Sequence, residues 1–180
     1  MQNKIELFFG DITLMDVDAI VNAASPTLSG SCGVEAVIHR YGGLPLSDAC
    51  ETLGGCETGQ AKITRGHDLP AKFVIHTVGP VWLGGKYGEA ELLRSCYRNA
   101  LRFSLTRPIK TIAFSSISCG ASGYPIEEAC QIALDTIQEF LDTHPDTLEK
   151  VCIMAYNIPI LETYRRELEA RFGESELMTE

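Results

Sequence analysis

Two short glycine-bearing stretches hold the residue types that could do chemistry. Ser115-Ser116-Ile117-Ser118-Cys119-Gly120-Ala121-Ser122-Gly123-Tyr124-Pro125 follows the apolar run Thr111 to Phe114 and precedes a helical pattern from Ile126 to Leu141. Ser29-Gly30-Ser31-Cys32-Gly33 follows a second apolar run and opens another helical pattern at Val34. A small turn between a strand and a helix gathers unpaired backbone N–H groups at one point, which is how α/β proteins hold phosphate. Two such turns suit a diphosphate. Either turn alone serves equally as an ordinary connection, because Gly is a common turn residue.

The remaining reactive side chains are sparse. Seven cysteines are scattered through strands and helices, with no Cys-x-x-Cys pair and no Cys/His cluster at zinc spacing, so no metal site is expected. Nothing at the N-terminus resembles a signal peptide, and the thiols read as reduced cysteines of a cytoplasmic protein. Cys32 and Cys119 lie one in each turn, so a redox latch across the site is one reading and two small packed thiols is the other. His39 and His76 lie on apolar patterns and read as packed residues.

A net charge of −9 argues against nucleic-acid binding, which wants a basic face, while backbone N–H groups can still bind phosphate in an acidic protein. No apolar run approaches ~18 residues, so no membrane span is expected. The 180 residues fit one domain with a proper core. We place that domain at residues 1–173 and a polar tail at 174–180.

The elements that must position the turns follow from periodicity. Strands are expected at Ile5 to Phe9, Asp18 to Ala24, Ala61 to Arg65, Phe73 to Val78, Thr111 to Phe114 and Lys150 to Tyr156. Helices are expected at Val34 to Tyr41, stopped by Gly42-Gly43, and at Leu46 to Leu53. Further helices are expected at Glu89 to Leu105, at Ile126 to Leu141, and at Ile160 to Phe172. Strands alternating with helices give an α/β fold with a mostly parallel sheet covered on both faces, made mixed by an antiparallel pair around Ile63 and Ile75. Ligands of such sheets sit beyond the carboxyl ends of the strands, where Asn22, both turns and Tyr156 can converge.

Read together, the pieces resemble a macrodomain of the MacroD-like branch. The matching residues are Gly10-Asp11-Ile12-Thr13, Val17 to Ala24, Gly33-Val34 with Ile38-His39, Thr58-Gly59-Gln60-Ala61, Leu69-Pro70-Ala71-Lys72, Val74 to Pro80, and Ile117-Ser118 through Gly123-Tyr124-Pro125. Their order and spacing run over residues 5–170. The resemblance implies a three-layer α/β/α macrodomain. It also implies that the partner is ADP-ribose, or an ADP-ribosylated protein or metabolite, handled without a cofactor. Hydrolysis of ADP-ribosyl esters or of O-acetyl-ADP-ribose is the implied activity; a reader that binds without turnover, or a phosphohydrolase on ADP-ribose 1″-phosphate, are the other readings.

By the same resemblance, Asp11 accepts from the adenine amino group beside the Ile12 backbone, and Tyr156 packs on adenine. Asp11 is otherwise a turn-capping residue and Tyr156 an ordinary strand end. The N–H groups of Ser31, Cys32, Gly33 and Val34, and of Ser118, Cys119, Gly120, Ala121, Ser122, Gly123 and Tyr124, hold the diphosphate and distal ribose. Asn22 completes the set, and Ser25 and Glu35 are the catalytic candidates.

The chain departs from the family around the distal ribose. Ser25 stands where the family has a second Asn, and its hydroxyl cannot make an amide's paired contact. Glu35 replaces an Asp, which moves the carboxylate by a methylene; a shift of ~1 Å can cost roughly 10²-fold in rate. Ser122 replaces an aromatic, and Ser31 and Cys32 replace glycines. Ligand binding is therefore expected to be more secure than catalysis. Glu35 also has a plain reading as an exposed first-turn acid favoured by the helix dipole.

Overall fold

A computed structural model describes residues 3–173. The proposed tail at 174–180 lies outside them. Six strands form one sheet: β1 (Ile5–Phe9), β2 (Ala19–Ala23), β3 (Ala61–Arg65), β4 (Phe73–Thr77), β5 (Thr111–Phe114) and β6 (Lys150–Ala155), in the spatial order β1-β6-β5-β2-β4-β3. All neighbours are parallel except β3 and β4, which run antiparallel with Ile63 opposite Ile75.

Alternation along the strands sorts side chains to two faces. Ala19 and Val21 of β2 join a core with Ile112 and Phe114, covered by α2 (Glu89–Arg102), α3 (Ile126–Thr143) and α4 (Ile158–Phe172). Ile20 between them joins the opposite core with Val74, Ala113 and Cys152, covered by α1 (Gly33–Thr52) through Ile38, Leu46 and Cys50. The result is the three-layer sandwich that the strand–helix alternation calls for.

Element boundaries moved for local reasons. The two expected N-terminal helices are both present within α1 and part where expected, at Gly43, whose φ of 77° and ψ of −178° are non-helical. β4 stops at Thr77, because Val78 turns to bridge Thr58. The pattern running to Leu105 is α2 followed by a 3-10 turn at Phe103–Leu105. The last helix starts two residues early, at Ile158, because the Asn157 side chain caps it by accepting from the Ile160 N–H at 3.0 Å.

Asp18 fixes the start of β2 against β5. Its carboxylate accepts from the N–H groups of Lys110 (2.7 Å) and Thr111 (3.1 Å) and pairs with Lys72 at 3.0 Å. Burial alone pushes this carboxyl up; the N–H bonds and the Lys72 ammonium outweigh it and hold it below the ordinary range. Among the described residues, no helix is long and apolar enough to cross a membrane.

Candidate functional site

β2 and β5 are parallel neighbours at the centre of the sheet, so the turns that follow them emerge side by side at one rim. Between them lies a cavity of about 670 Å³, within the ~300–1,000 Å³ usual for small-molecule sites.

The first turn leaves the sheet where the Ala24 N–H donates to the Thr77 carbonyl at 2.9 Å. Gly30, at φ 74°, passes so close to His39 that a Cβ there would lie 2.6 Å from the ring, so only glycine fits. Cys32, the residue before α1, is extended and caps the helix with no side-chain hydrogen bond. The first N–H groups of α1 therefore face the cavity uncapped, with Cys32, Gly33 and Val34 in its wall.

The second turn is braced from below. The Ser115 hydroxyl donates to the Val21 carbonyl at 2.7 Å, and the Ser118 hydroxyl to the Pro80 carbonyl at 2.8 Å. Ser118 takes φ 63°, an unusual conformation for a residue with a side chain. Internal bonds use three amides: Cys119 to Ser116, Gly123 to Gly120 and Tyr124 to Ser118. The N–H groups of Ser118, Gly120, Ala121 and Ser122 carry no hydrogen bond among the described residues, and all four residues line the cavity.

At one end of the cavity Tyr156, 50% exposed, donates its hydroxyl to the Cys119 carbonyl at 3.3 Å. Asp11 and Ile12 share that wall. The capping reading of Asp11 holds: its Oδ1 accepts from the Thr13 N–H at 2.9 Å and the Thr13 hydroxyl at 2.6 Å.

Glu35 does not match the plain reading. It is 1% exposed, not an exposed first-turn acid, and neither oxygen has a hydrogen-bond partner among the described residues. It lines the cavity together with Ser25, whose hydroxyl lies 3.3 Å from that of Thr27. One helical turn on, the His39 Nδ1 meets the Ser47 hydroxyl at 3.1 Å while its buried Nε2 is unpartnered. The carboxylate also faces Cys50, whose thiol is pushed up to about 11 by burial and then by Glu35.

Five expected residues do not line the cavity. Asn22 is fully buried behind it and donates its side-chain N–H to His76 Nδ1 at 3.1 Å. Tyr124 packs against Trp82, ring centres 4.7 Å apart. Gly123 spends its amide inside the turn, and Ser31 is exposed away from the cavity. Cys119 turns its thiol to the Ile117 carbonyl at 3.6 Å, and burial pushes it up to about 12. Cys32 stands in the cavity wall and Cys119 outside it, so the wall does not present the two thiols of the redox latch together. His76 is packed as expected. The wall also contains Gly79, Val81 and Met154, which sequence reasoning missed. Gly79 had a signal: a glycine directly after a buried strand marks a close approach, here to Ser118.

The comparisons with known proteins agree with this geometry. A family model described as the Macro domain matches residues 21–133. A Macro domain-containing protein of Chlorobaculum tepidum is 53% identical over 89% of this chain and 92% of its own length. An O-acetyl-ADP-ribose deacetylase of an Enterobacter species is 47% identical over 95% of this chain and 97% of its own. An ADP-ribose glycohydrolase of Rattus norvegicus is 48% identical over 87% of this chain, which spans 61% of that protein's length. The solved structure of the Oceanobacillus iheyensis macrodomain with ADP superposes with a TM-score of 0.89 at 38% identity, covering 95% of this chain and 93% of that one. Fold, cavity and relatives converge, and the chain belongs to the Macro domain family.

Proposed function

We propose that the protein binds ADP-ribose in this cavity and hydrolyses ADP-ribosyl esters, O-acetyl-ADP-ribose among them. One relative is named an O-acetyl-ADP-ribose deacetylase and another an ADP-ribose glycohydrolase, and solved relatives contain ADP or ADP-ribose. On this reading, the uncapped amides of α1 and those of Ser118 to Ser122 receive the diphosphate, and Asp11 and Tyr156 take the adenine end. The distal ribose lies toward Ser25 and Glu35. A water there gives a proton to Glu35 as its oxygen attacks, the ester C–O bond breaks, and the proton passes to the departing oxygen.

The observation that carries catalysis is Glu35, a carboxylate kept in the cavity wall without a partner among the described residues. Burying an unpaired acid is costly, and active sites are where that cost recurs. The test is release of label from a mono-ADP-ribosylated acidic substrate. Glu35→Gln should slow release by about 10²-fold or more while calorimetric affinity for ADP-ribose stays within about threefold. Equal release rates would sink the role of Glu35.

The second reading, a reader without turnover, draws on Ser25 and Ser122 at the distal ribose and on the seclusion of both Glu35 oxygens. Tight binding with no release by the wild type would establish it. No heat at millimolar ADP-ribose, weaker than about −4 kcal/mol, would remove both readings.

A further inference from the structure

The segment Pro80–Gly88 between β4 and α2 has no regular structure, and Gly84, Gly85 and Gly88 in it take φ of 99°, 87° and 77°. It is nonetheless tightly organised, from one side chain. Glu89 Oε1 accepts from the N–H groups of Leu83 (3.1 Å) and Gly85 (3.3 Å), and Oε2 from that of Tyr87 (2.9 Å). An acid at the first residue of a helix ordinarily serves the helix itself. This one is 2% exposed and turns back into the preceding loop. Burial pushes its carboxyl up, and its own N–H and those of Tyr87, Leu83 and Gly85 outweigh that and hold it below the ordinary range.

The opposite side of the same loop touches the second amide turn at three points. The Trp82 N–H donates to the Ser122 carbonyl at 2.9 Å, the Trp82 ring packs on Tyr124, and the Pro80 carbonyl accepts from the Ser118 hydroxyl. Gly85 lies beneath the Trp82 ring, where a Cβ would come within 2.8 Å. The three amides held by Glu89 thus set the backbone that sets Trp82, and Trp82 sets the turn carrying the free N–H groups.

We propose that Glu89, which does not line the cavity, is a positioning residue for ligand binding: it fixes the Ser118–Tyr124 turn through the Pro80–Gly88 loop. The proposal rests on the nucleotide reading above. It also assigns Trp82, the only tryptophan, as a reporter of that turn.

The experiment is ADP-ribose calorimetry on the full chain as wild type, Glu89→Gln, Trp82→Ala and the double variant, with Trp82 emission read on the first two without ligand. Gln replaces an acceptor with a donor facing N–H groups. Glu89→Gln is expected to weaken binding about tenfold and to shift Trp82 emission to the red, with far-ultraviolet dichroism unchanged. In the Trp82→Ala background the same change should cost less than about twofold more, since both act along one path. Wild-type affinity in Glu89→Gln, or losses that multiply in the double variant, overturns the proposal. Should Glu89→Gln fail to fold, amide exchange in the wild type decides instead: Leu83, Gly85 and Tyr87 must be protected, and free exchange there overturns it. A wild type that binds no ADP-ribose removes the nucleotide reading first. A wild type that binds, beside an unimpaired Glu89→Gln, removes this proposal alone.

Discussion

Buried polar side chains are where single residues govern this protein, and two of them make opposite demands on the fold. Glu35 is shut into the cavity wall with no bonding partner among the described residues. Glu35→Gln, the change expected to slow turnover by about 10²-fold or more, should therefore leave the fold at least as stable, because no hydrogen bond to a described residue is lost with the carboxylate. Urea unfolding of both forms at pH 7 checks it, and a lower midpoint in the variant refutes it. His76 is fully buried and satisfied: Asn22 donates to Nδ1, so the proton sits on Nε2 and faces the Thr64 hydroxyl at 2.9 Å. Burial, then the nearby His39, hold its pKa down from 6.5 to about 4. A base whose folded pKa is depressed favours folding fully above the unfolded pKa, and that support fades as pH falls from about 6.5 toward 4. By pH 5 the loss should be about 2 kcal/mol. Unfolding at pH 7 and pH 5 measures it, and His76→Gln should flatten the difference.

Single elements show how closely the two loops and the strands are keyed. Gly79 follows β4, and a Cβ there would lie 2.2 Å from the Ser118 hydroxyl and 2.7 Å from an Ile117 methyl. Gly79→Ala should push Ser118 off the Pro80 carbonyl and weaken ADP-ribose binding by about tenfold or more, since small misplacements of positioning groups are costly. Calorimetry beside a thermal melt separates that loss from unfolding. The strands and both turns were legible in the sequence because glycine and proline punctuate them and the apolar runs between are short. The Asn157 cap was equally readable, a polar residue directly before Ile158-Pro159, and went unused. The order of Pro80–Gly88 was not readable. It depends on one carboxylate folding back onto three amides, and nothing in a string of glycines and exposed side chains marks that. Asp11 was open between cap and ligand contact, and its side chain caps Thr13 from within the cavity wall.

Across the whole molecule, alternating strand and helix patterns were enough for the layers, and the antiparallel pair at Ile63 and Ile75 could be named in advance. The order β1-β6-β5-β2-β4-β3 could not, because it joins segments such as Ile5 and Val151 that no local pattern links. The burial of Glu35 was hidden for a related reason: the wall it belongs to is assembled from segments far apart in the chain, Ser25, Thr58, Ser115 and Tyr156 among them.

Among the described residues, the cavity wall contains Asp11 and Glu35 and no lysine or arginine, in a chain of net charge −9. A diphosphate dianion approaching it is repelled until the last few ångströms, where main-chain dipoles take over. Dissolved ions damp the distant repulsion and leave the close grip nearly untouched. Capture by stopped flow should therefore quicken, by about two- to threefold, as sodium chloride rises from about 20 to 200 mM, while escape keeps its pace. This pocket would then tighten modestly in brine, the reverse of what cationic phosphate sites do.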